Sequence, residues 1–500
     1  MRETTDSGTS ARRRERFVLA LIAVGALLRI AQYLANRSLW LDEAYLVPTI
    51  LDRPLRDLFR PPEFRQVVPV GFLLLERAAT ALFGRSEYAL RSVPLLAGLI
   101  SLPLFRSAAS RFLPERGLPF AVALFAFSDP LIYYSSELKQ YSTDVAIGLL
   151  LLLLAERARH EPAPRRIALL AVAGALAIWF SHPAVFVLAA AGVVLLRAAV
   201  RRGDRTGTAA VAAAGILWCA SFAAFYFATL RGPGSSPEVL RFWSADFFPI
   251  PPRSLSNLYW LPQRLGAMFA DPIGMTFRGL GILAFLTGIV VLWRADRDRL
   301  GLLLGPLAFT LAASALRRYP FAGRLLLFLV PSFLILIALG VETIREALWP
   351  KARAAAWILI ALMLFHPVGI SLKFLVWPRT REEVRSAIAD ARAGRRPGDR
   401  LYVYPATEPV FRYYASRSGF PAEDLVPATW HPDWSGYGPD FAALRGRGRI
   451  WILLSHTRRR DHSDDEPLLA RLLDAAAVRL EVHRHPGASA YLYDFGSRPR

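Results

Sequence analysis

The sequence predicts an all-α polytopic membrane protein with a small α/β domain at its C-terminal end. Three observations carry this. Long apolar runs recur along the first three quarters of the chain, and 54% of the 500 residues are hydrophobic. Charged residues make up only 20% of the chain and gather between those runs. The pattern changes after about residue 378, where short alternating segments replace the runs. About 20 apolar residues of helix cross the hydrocarbon core of a bilayer, and no soluble core needs so many uninterrupted runs.

The runs lie near 17–35, 89–105, 119–134, 143–156, 167–181, 184–196, 208–229, 277–293, 301–316, 323–342 and 354–372, giving about eleven spans. Residues 67–83 (VVPVGFLLLERAATALF) are nearly as apolar, but Glu76 and Arg77 stand in the middle. A mid-bilayer charge costs roughly 2.5–3.5 kcal/mol on the gentlest scale. That segment is therefore expected as an interfacial helix. Charge placement agrees. With 67–83 outside the count, the Arg-rich segments 106–118, 157–166, 197–206, 294–300 and 343–353 share the cytoplasmic side with the N-terminus. The expected domains are a cytoplasmic tail 1–16, a transmembrane domain 17–378 and an extracytoplasmic α/β domain 379–500. The expected location is the inner (plasma) membrane, multi-pass.

The net charge of +21 (61 Lys+Arg against 40 Asp+Glu) suits Arg flanks facing anionic lipid. Nucleic acid is not expected as a partner, since there is no zinc spacing and no aromatic-basic RNA motif. The single cysteine, Cys219, lies in an apolar run and excludes a disulfide framework. Within 379–500, TREEVRSAIADARAGRR, EPVFRYYASR and EPLLARLLDAAA read as helices, and DRLYVYPA, GRIWILLSHT, VRLEVHRHP and ASAYLYDFG as strands. His431, His456, His462, His483 and His485 lack ligand-type spacing, so no metal site is expected there.

Four segments on the outer side carry chemistry. The first is Ser38-Leu39-Trp40-Leu41-Asp42-Glu43-Ala44, with two adjacent acids just beyond the first span. Such acids can cap an interfacial helix. A carboxylate at the lipid–water boundary can equally take a proton from an attacking hydroxyl. The second runs from Phe127 to Asp144 and crowds Asp129, Glu137, Lys139, Tyr141 and Asp144 into membrane depth. Such groups must pair or line a cavity. The third is Ser181-His182-Pro183, a helix stop that also brings His182 to this face. The fourth holds Arg317, Arg318 and Arg324, basic residues placed against the orientation rule. Guanidinium forks match phosphate oxygens, so these arginines are candidate phosphate ligands.

Taken together and in order, these segments resemble the GT-C superfamily of membrane glycosyltransferases, in particular bacterial relatives of the protein O-mannosyltransferases and of the lipid A aminoarabinose transferase. The likeness covers about residues 15–345. It rests on Asp42-Glu43 after the first span, the interfacial helix 67–83, the acidic stretch with Asp129 and Glu137–Tyr141, and the late basic loop. Relatives commonly carry a Pro-Pro pair, preceded by Lys, His or Gln, where this chain reads Gln66-Val67-Val68-Pro69. The resemblance implies inverting transfer from a polyprenyl-phosphate-linked sugar on the extracytoplasmic face. Asp42 would be the base, with Glu43 beside it. Asp129, Glu137, Lys139, Tyr141 and His182 would bind substrate, and one or more of the arginines would hold the leaving phosphate. The implied partners are the lipid-phosphate sugar and membrane lipid, with the acceptor open and no cofactor or metal expected. A transporter or flippase of lipid-linked or sugar substrates is the alternative. It is disfavoured by charges that gather at the outer face and by the lack of an internal repeat.

Overall fold

A computed structural model describes residues 2–60, 66–230, 237–252, 254–431, 436–457 and 464–496. His462 lies outside them. In chain order the helices are α1 (Arg2–Leu34), α2 (Leu41–Ala44), α3 (Val47–Leu51), α4 (Val70–Phe83), α5 (Glu87–Phe112), α6 (Leu118–Ala126), α7 (Asp129–Tyr134) and α8 (Tyr141–His160). They continue with α9 (Pro164–Phe180), α10 (Ala184–Arg201), α11 (Arg205–Phe225), α12 (Pro237–Phe242), α13 (Leu255–Met268), α14 (Arg278–Ala295), α15 (Arg297–Ala315), α16 (Val330–Leu348) and α17 (Arg353–Val376). The C-terminal part adds α18 (Val384–Gly394), β1 (Arg400–Val403), α19 (Glu408–Tyr414), β2 (Leu425–Val426), α20 (Tyr437–Ala442), β3 (Arg449–Ser455), α21 (Glu466–Ala476), β4 (Val478–His485) and β5 (Ala488–Asp494).

The chain forms two compact units. One comprises Met1–Ala35 with Pro54–Pro378, and the other Asn36–Arg53 with Arg379–Arg500. The segment carrying Asp42 and Glu43, read from the sequence as part of the transmembrane domain, thus groups with the C-terminal α/β residues. The physical reason is a set of hydrogen bonds described below.

In the helical unit, seven described helices are long and apolar enough to cross a membrane by length and composition. They correspond to the predicted runs starting near 17, 89, 184, 208, 277, 323 and 354. The count of eleven spans is not fixed by this criterion. The segment 1–16, expected as a tail, is helical from Arg2. The predicted span 119–134 is two helices, α6 and α7, broken at Phe127-Ser128. Pro130 sits in the first turn of α7, where its missing N–H costs no hydrogen bond. The break leaves carbonyls at the end of α6, and buried donors meet them. Arg29 of α1 donates through Nη1 to Ala126 O (3.3 Å) and through Nη2 to Phe125 O (3.3 Å), and Nη1 also donates to Gly25 O of its own helix (2.9 Å). Ser371 of α17 donates to Phe127 O at 2.8 Å.

Helix α4 has 14 residues, about 21 Å of rise at 1.5 Å per residue, short of a bilayer core of about 30 Å. Glu76 is buried and Arg77 half-buried on it. Helix ends follow sequence signals. Asp204 Oδ1 accepts Gly207 N–H at 2.8 Å before α11, and Asp296 Oδ1 accepts Asp298 and Arg299 N–H, both at 3.0 Å, before α15. The window containing α16 is 94% buried. It meets α14 backbone to backbone: a Cβ on Gly340 would overlap the carbonyl of Ala284, and one on Gly288 the carbonyl of Leu336. Small residues of this kind let apolar helices approach closely.

The second unit holds a five-stranded sheet in the order β2-β1-β3-β5-β4. Strands β2, β1 and β3 are parallel, and β5 is antiparallel to both β3 and β4. All four strands and three helices read from the sequence are present, while β2 and α20 are additions. The buried faces of α18 (Val384, Ala387, Ile388, Ala391) and α21 (Leu469, Ala470, Leu473, Ala476) show the helical repeat that located them.

Candidate functional site

The acidic segment is built by its own unit. Trp40 precedes α2, and Glu43 Oε2 accepts the Trp40 N–H at 3.3 Å. Glu43 is fully buried, with the buried guanidinium of Arg37 4.0 Å from its Oε1. Asp42 is half-buried. Residues from beyond 378 hold the backbone around it. Leu41 N–H donates to Glu382 Oε2 at 3.2 Å, and Leu39 N–H to the Tyr414 hydroxyl at 3.0 Å. Glu383 Oε2 accepts the Ser38 hydroxyl at 3.0 Å and its N–H at 3.4 Å. Arg385 N–H donates to Ser38 Oγ at 3.1 Å, and the Arg385 guanidinium reaches the Asn36 carbonyl. Arg381 lies 4.1 Å from the centroid of the Trp40 ring, within cation–π range. His456 Nδ1 is 2.8 Å from Glu382 Oε1. Burial raises the Tyr45 phenol pKa, and the charges of Asp42, Glu382 and Glu408 add to it, so Tyr45 stays protonated beside Asp42. Sequence reasoning missed Glu382, Glu383, Arg381 and Tyr414. Their partners are more than 340 residues away, and no local spacing announces them.

The other predicted residues belong to the helical unit. Asp129 opens α7 and is half-buried. Glu137 and Lys139 are buried in the turn between α7 and α8, where Lys139 N–H donates to the Glu137 carbonyl at 2.6 Å. Lys139 Nζ donates to Gln66 Oε1 at 2.6 Å. The corner where the sequence departs from the resembled pattern is thus taken up by a contact between Gln66 and Lys139. Tyr141 packs edge-on against Tyr134, centroids 5.3 Å apart, and the Arg324 guanidinium carbon stands 5.6 Å from the centroid of the Tyr141 ring. Residues 181–183 separate α9 from α10. Among the described residues the His182 Nε2 is buried without a hydrogen-bond partner, and its ring lies 5.5 Å from that of Phe225. Burial lowers the His182 pKa to about 4, so the imidazole is neutral.

The structure separates the three arginines. Arg324 is half-buried in the 3-10 turn Gly323–Leu329 and meets Tyr141. Arg317 and Arg318 are exposed just after α15, Arg317 with φ of 55°. Tyr319, between them and Arg324, donates to the Leu325 carbonyl at 2.8 Å, and its pKa is raised by burial, with Asp144 and Tyr141 adding. Among the described residues no group of three or more His, Cys, Asp or Glu side chains is placed to hold a metal ion. Chemically, the first unit offers buried hydroxyls, a lysine and an arginine at one end of its helices. The second offers carboxylates on a loop fixed by charge-assisted hydrogen bonds.

Seven described helices long and apolar enough to cross a membrane, followed by a small α/β sheet, make a fold that solved structures share at low sequence identity. Three solved structures carry the comparison. ArnT from Cupriavidus metallidurans, bound to undecaprenyl phosphate, superposes with a TM-score of 0.52 at 13% identity, covering 95% of this chain and 97% of that one. The oligosaccharyltransferase of Archaeoglobus fulgidus in complex with Zn and sulfate gives 0.53 at 13% identity, over 94% and 72%. The archaeal oligosaccharyltransferase AglB from the same organism, with an inhibitory peptide and a dolichol-phosphate, gives 0.52 at 11% identity, over 95% and 74%. No family model matches the chain, and no curated protein matches it.

Proposed function

We propose that this protein is a membrane glycosyltransferase. It moves a sugar from a polyprenyl-phosphate-linked donor to an acceptor on the extracytoplasmic face of the inner (plasma) membrane, with inversion. The observation that carries the reading is the Asp42-Glu43 loop. Five residues from beyond position 378 fix it by backbone hydrogen bonds, a hydroxyl contact and a cation–π contact. Holding a reactive group in one geometry lowers the barrier by removing the entropy of finding it. Two of the three structural neighbours are described as bound to undecaprenyl phosphate or a dolichol-phosphate, which supports a lipid phosphate as this protein's partner too.

In this reading the Asp42 carboxylate accepts the proton of an acceptor hydroxyl as that oxygen bonds to the anomeric carbon. The bond from that carbon to the donor phosphate breaks on the opposite face. The electron pair leaves with the polyprenyl phosphate, and the sugar inverts. One or more of Arg317, Arg318 and Arg324 would stabilise the phosphate as its charge grows. Glu43, buried against Arg37, keeps the loop in register. Asp129, Glu137, Lys139, Tyr141 and His182 contribute substrate contacts, and the reaction as proposed uses no metal or organic cofactor.

General-base catalysis contributes about 10²–10⁴-fold. Asp42→Asn keeps the side-chain shape and removes the base. Membranes supplied with a polyprenyl-phosphate sugar should then transfer about 10²–10⁴-fold more slowly. Wild-type transfer should persist in EDTA. Undiminished transfer by the Asn variant would remove Asp42 from this role. No transfer by the wild type across several donor sugars would point to a transporter instead.

A further inference from the structure

The sheet of the second unit has a switch point. Strand β1 lies between β2 and β3 and is parallel to both, so the chain runs first to one side of β1 and then crosses to the other. Open α/β sheets place their working groups in the crevice at the carboxyl ends of the strands beside such a point. Here those ends are joined. Ser455, the last residue of β3, donates its N–H to Thr407 Oγ1 at 2.8 Å, and Tyr404, just after β1, donates its N–H to the Leu453 carbonyl at 3.0 Å. The acidic segment stands at the same ends. Helix α2 packs against α19, which opens at Glu408 directly after Thr407, and the charges of Asp42, Glu382 and Glu408 all reach the Tyr45 phenol.

His456 is the residue that follows β3. Its φ is 56°, a left-handed conformation that a residue with a side chain adopts only at a cost. Such conformations persist where the surroundings over-determine them, and they gather at functional sites. His456 is half-buried, and its imidazole meets Glu382, Nδ1 standing 2.8 Å from Oε1. An ionised carboxylate only accepts hydrogen bonds, so Nδ1 carries the proton.

Glu382 is buried and serves both loops at once. While Oε1 accepts from His456, Oε2 accepts the Leu41 N–H at 3.2 Å, one residue before Asp42. Glutamate is rich in rotamers, and a tether on one oxygen removes most of the alternatives for the other. We propose that His456 is a positioning residue for the Asp42 base: its Nδ1–H anchors Glu382, and Glu382 in turn fixes the Leu41 backbone beside Asp42. The word base rests on the glycosyltransferase reading above. The anchoring of the loop does not.

Two variants separate the backbone at this position from the side chain. Glycine takes a positive φ without strain, so His456→Gly keeps the turn and removes the donor. Asparagine also tolerates this region, and its amide can donate near the place of Nδ1, so His456→Asn keeps both. Hydrogen exchange of the full-length protein in nanodiscs, read at single amides, reports on the loop without any substrate. In His456→Gly the Leu41 amide should exchange roughly tenfold faster or more, the scale of one charged hydrogen bond. The Leu39 amide, held instead by Tyr414, should change little. In His456→Asn the Leu41 amide should return most of the way to wild type. With a polyprenyl-phosphate sugar supplied, turnover by the Gly variant should fall roughly tenfold or more at an unchanged donor KM, and the Asn variant should recover most of the loss. An unchanged Leu41 amide in His456→Gly, equal loosening of Leu39 and Leu41, or an Asn variant no better than the Gly variant would each overturn the positioning role. Asp42→Asn leaves His456 and Glu382 in place and reads the enzyme proposal separately. Undiminished transfer by that variant removes the base, while the exchange results still decide the anchoring.

Discussion

Glu382 and Glu383 each accept backbone N–H groups of the segment that carries Asp42. Removing one acceptor leaves a desolvated N–H unmet, at about 1–3 kcal/mol. Glu382→Ala and Glu383→Ala should therefore lower the melting temperature, and they should reduce turnover more than donor affinity. The Gln variants keep an acceptor oxygen and should recover much of both. His182 gives a prediction with a defined sign. Its pKa falls from an ordinary 6.5 to about 4 in the folded protein. Above about pH 6.5 the imidazole is neutral in both states and costs nothing. As pH falls from 6.5 to 4, the unfolded chain binds a proton that the native one refuses, so stability is lost across that window. A His182→Phe variant, followed by thermal melts in detergent, should show a shallower decline between those two values.

At the scale of elements, the α14–α16 pair and the α6–α7 break make different demands. Gly288 and Gly340 let two helix backbones touch, and any Cβ at 340 meets the Ala284 carbonyl. Overpacking costs about 1–3 kcal/mol in a core that can shift. Gly340→Val should accordingly cut the yield of folded protein in membranes. At the break, buried Arg29 meets carbonyls of α6, and a buried carbonyl left unmet is costly. Arg29→Met keeps length and loses the donors, and it should lower the unfolding temperature more than Arg16→Met on the exposed part of the same helix. The elements themselves were largely legible. Apolar runs marked the helices, Pro183 marked an end, and period-two and period-3.6 patterns marked the α/β residues. The break at Ser128 was not recognised as such, since an apolar run on both sides hides it. Only Pro130 hinted at it.

For the whole molecule, the acidic loop groups with residues 379–500 rather than with the spans that flank it in sequence. A chain ending at Pro378 should still insert in the membrane but lose transfer. Crosslinking across the first span would show insertion, and the donor assay would show the loss. Orientation has its own test. In a Cys219→Ala background, an impermeant maleimide added to intact cells should label Glu423→Cys, at an exposed position of the second unit. It should label Arg202→Cys, in an Arg-rich segment, only after permeabilisation. Labelling in the reverse order would invert the topology read from the arginine bias.

Composition and periodicity alone determined that this is a multi-spanning membrane chain with an α/β end, and they placed Asp42 and Glu43 just beyond the first span and the polar stretch around Glu137 at membrane depth, where charge must pair or line a cavity. Those signals are local: a run of twenty apolar residues, or a repeat of 3.6, can be read without knowing what lies across the fold. Tertiary structure decided what each marked residue touches. It set Glu382, Glu383 and Tyr414 against a loop 341 to 375 residues earlier, Lys139 against Gln66, and three arginines, Arg385, Arg392 and Arg417, along one groove. A hydrogen bond depends on positions in space to a few tenths of an ångström, and sequence spacing fixes such positions only within a turn or two of helix or strand.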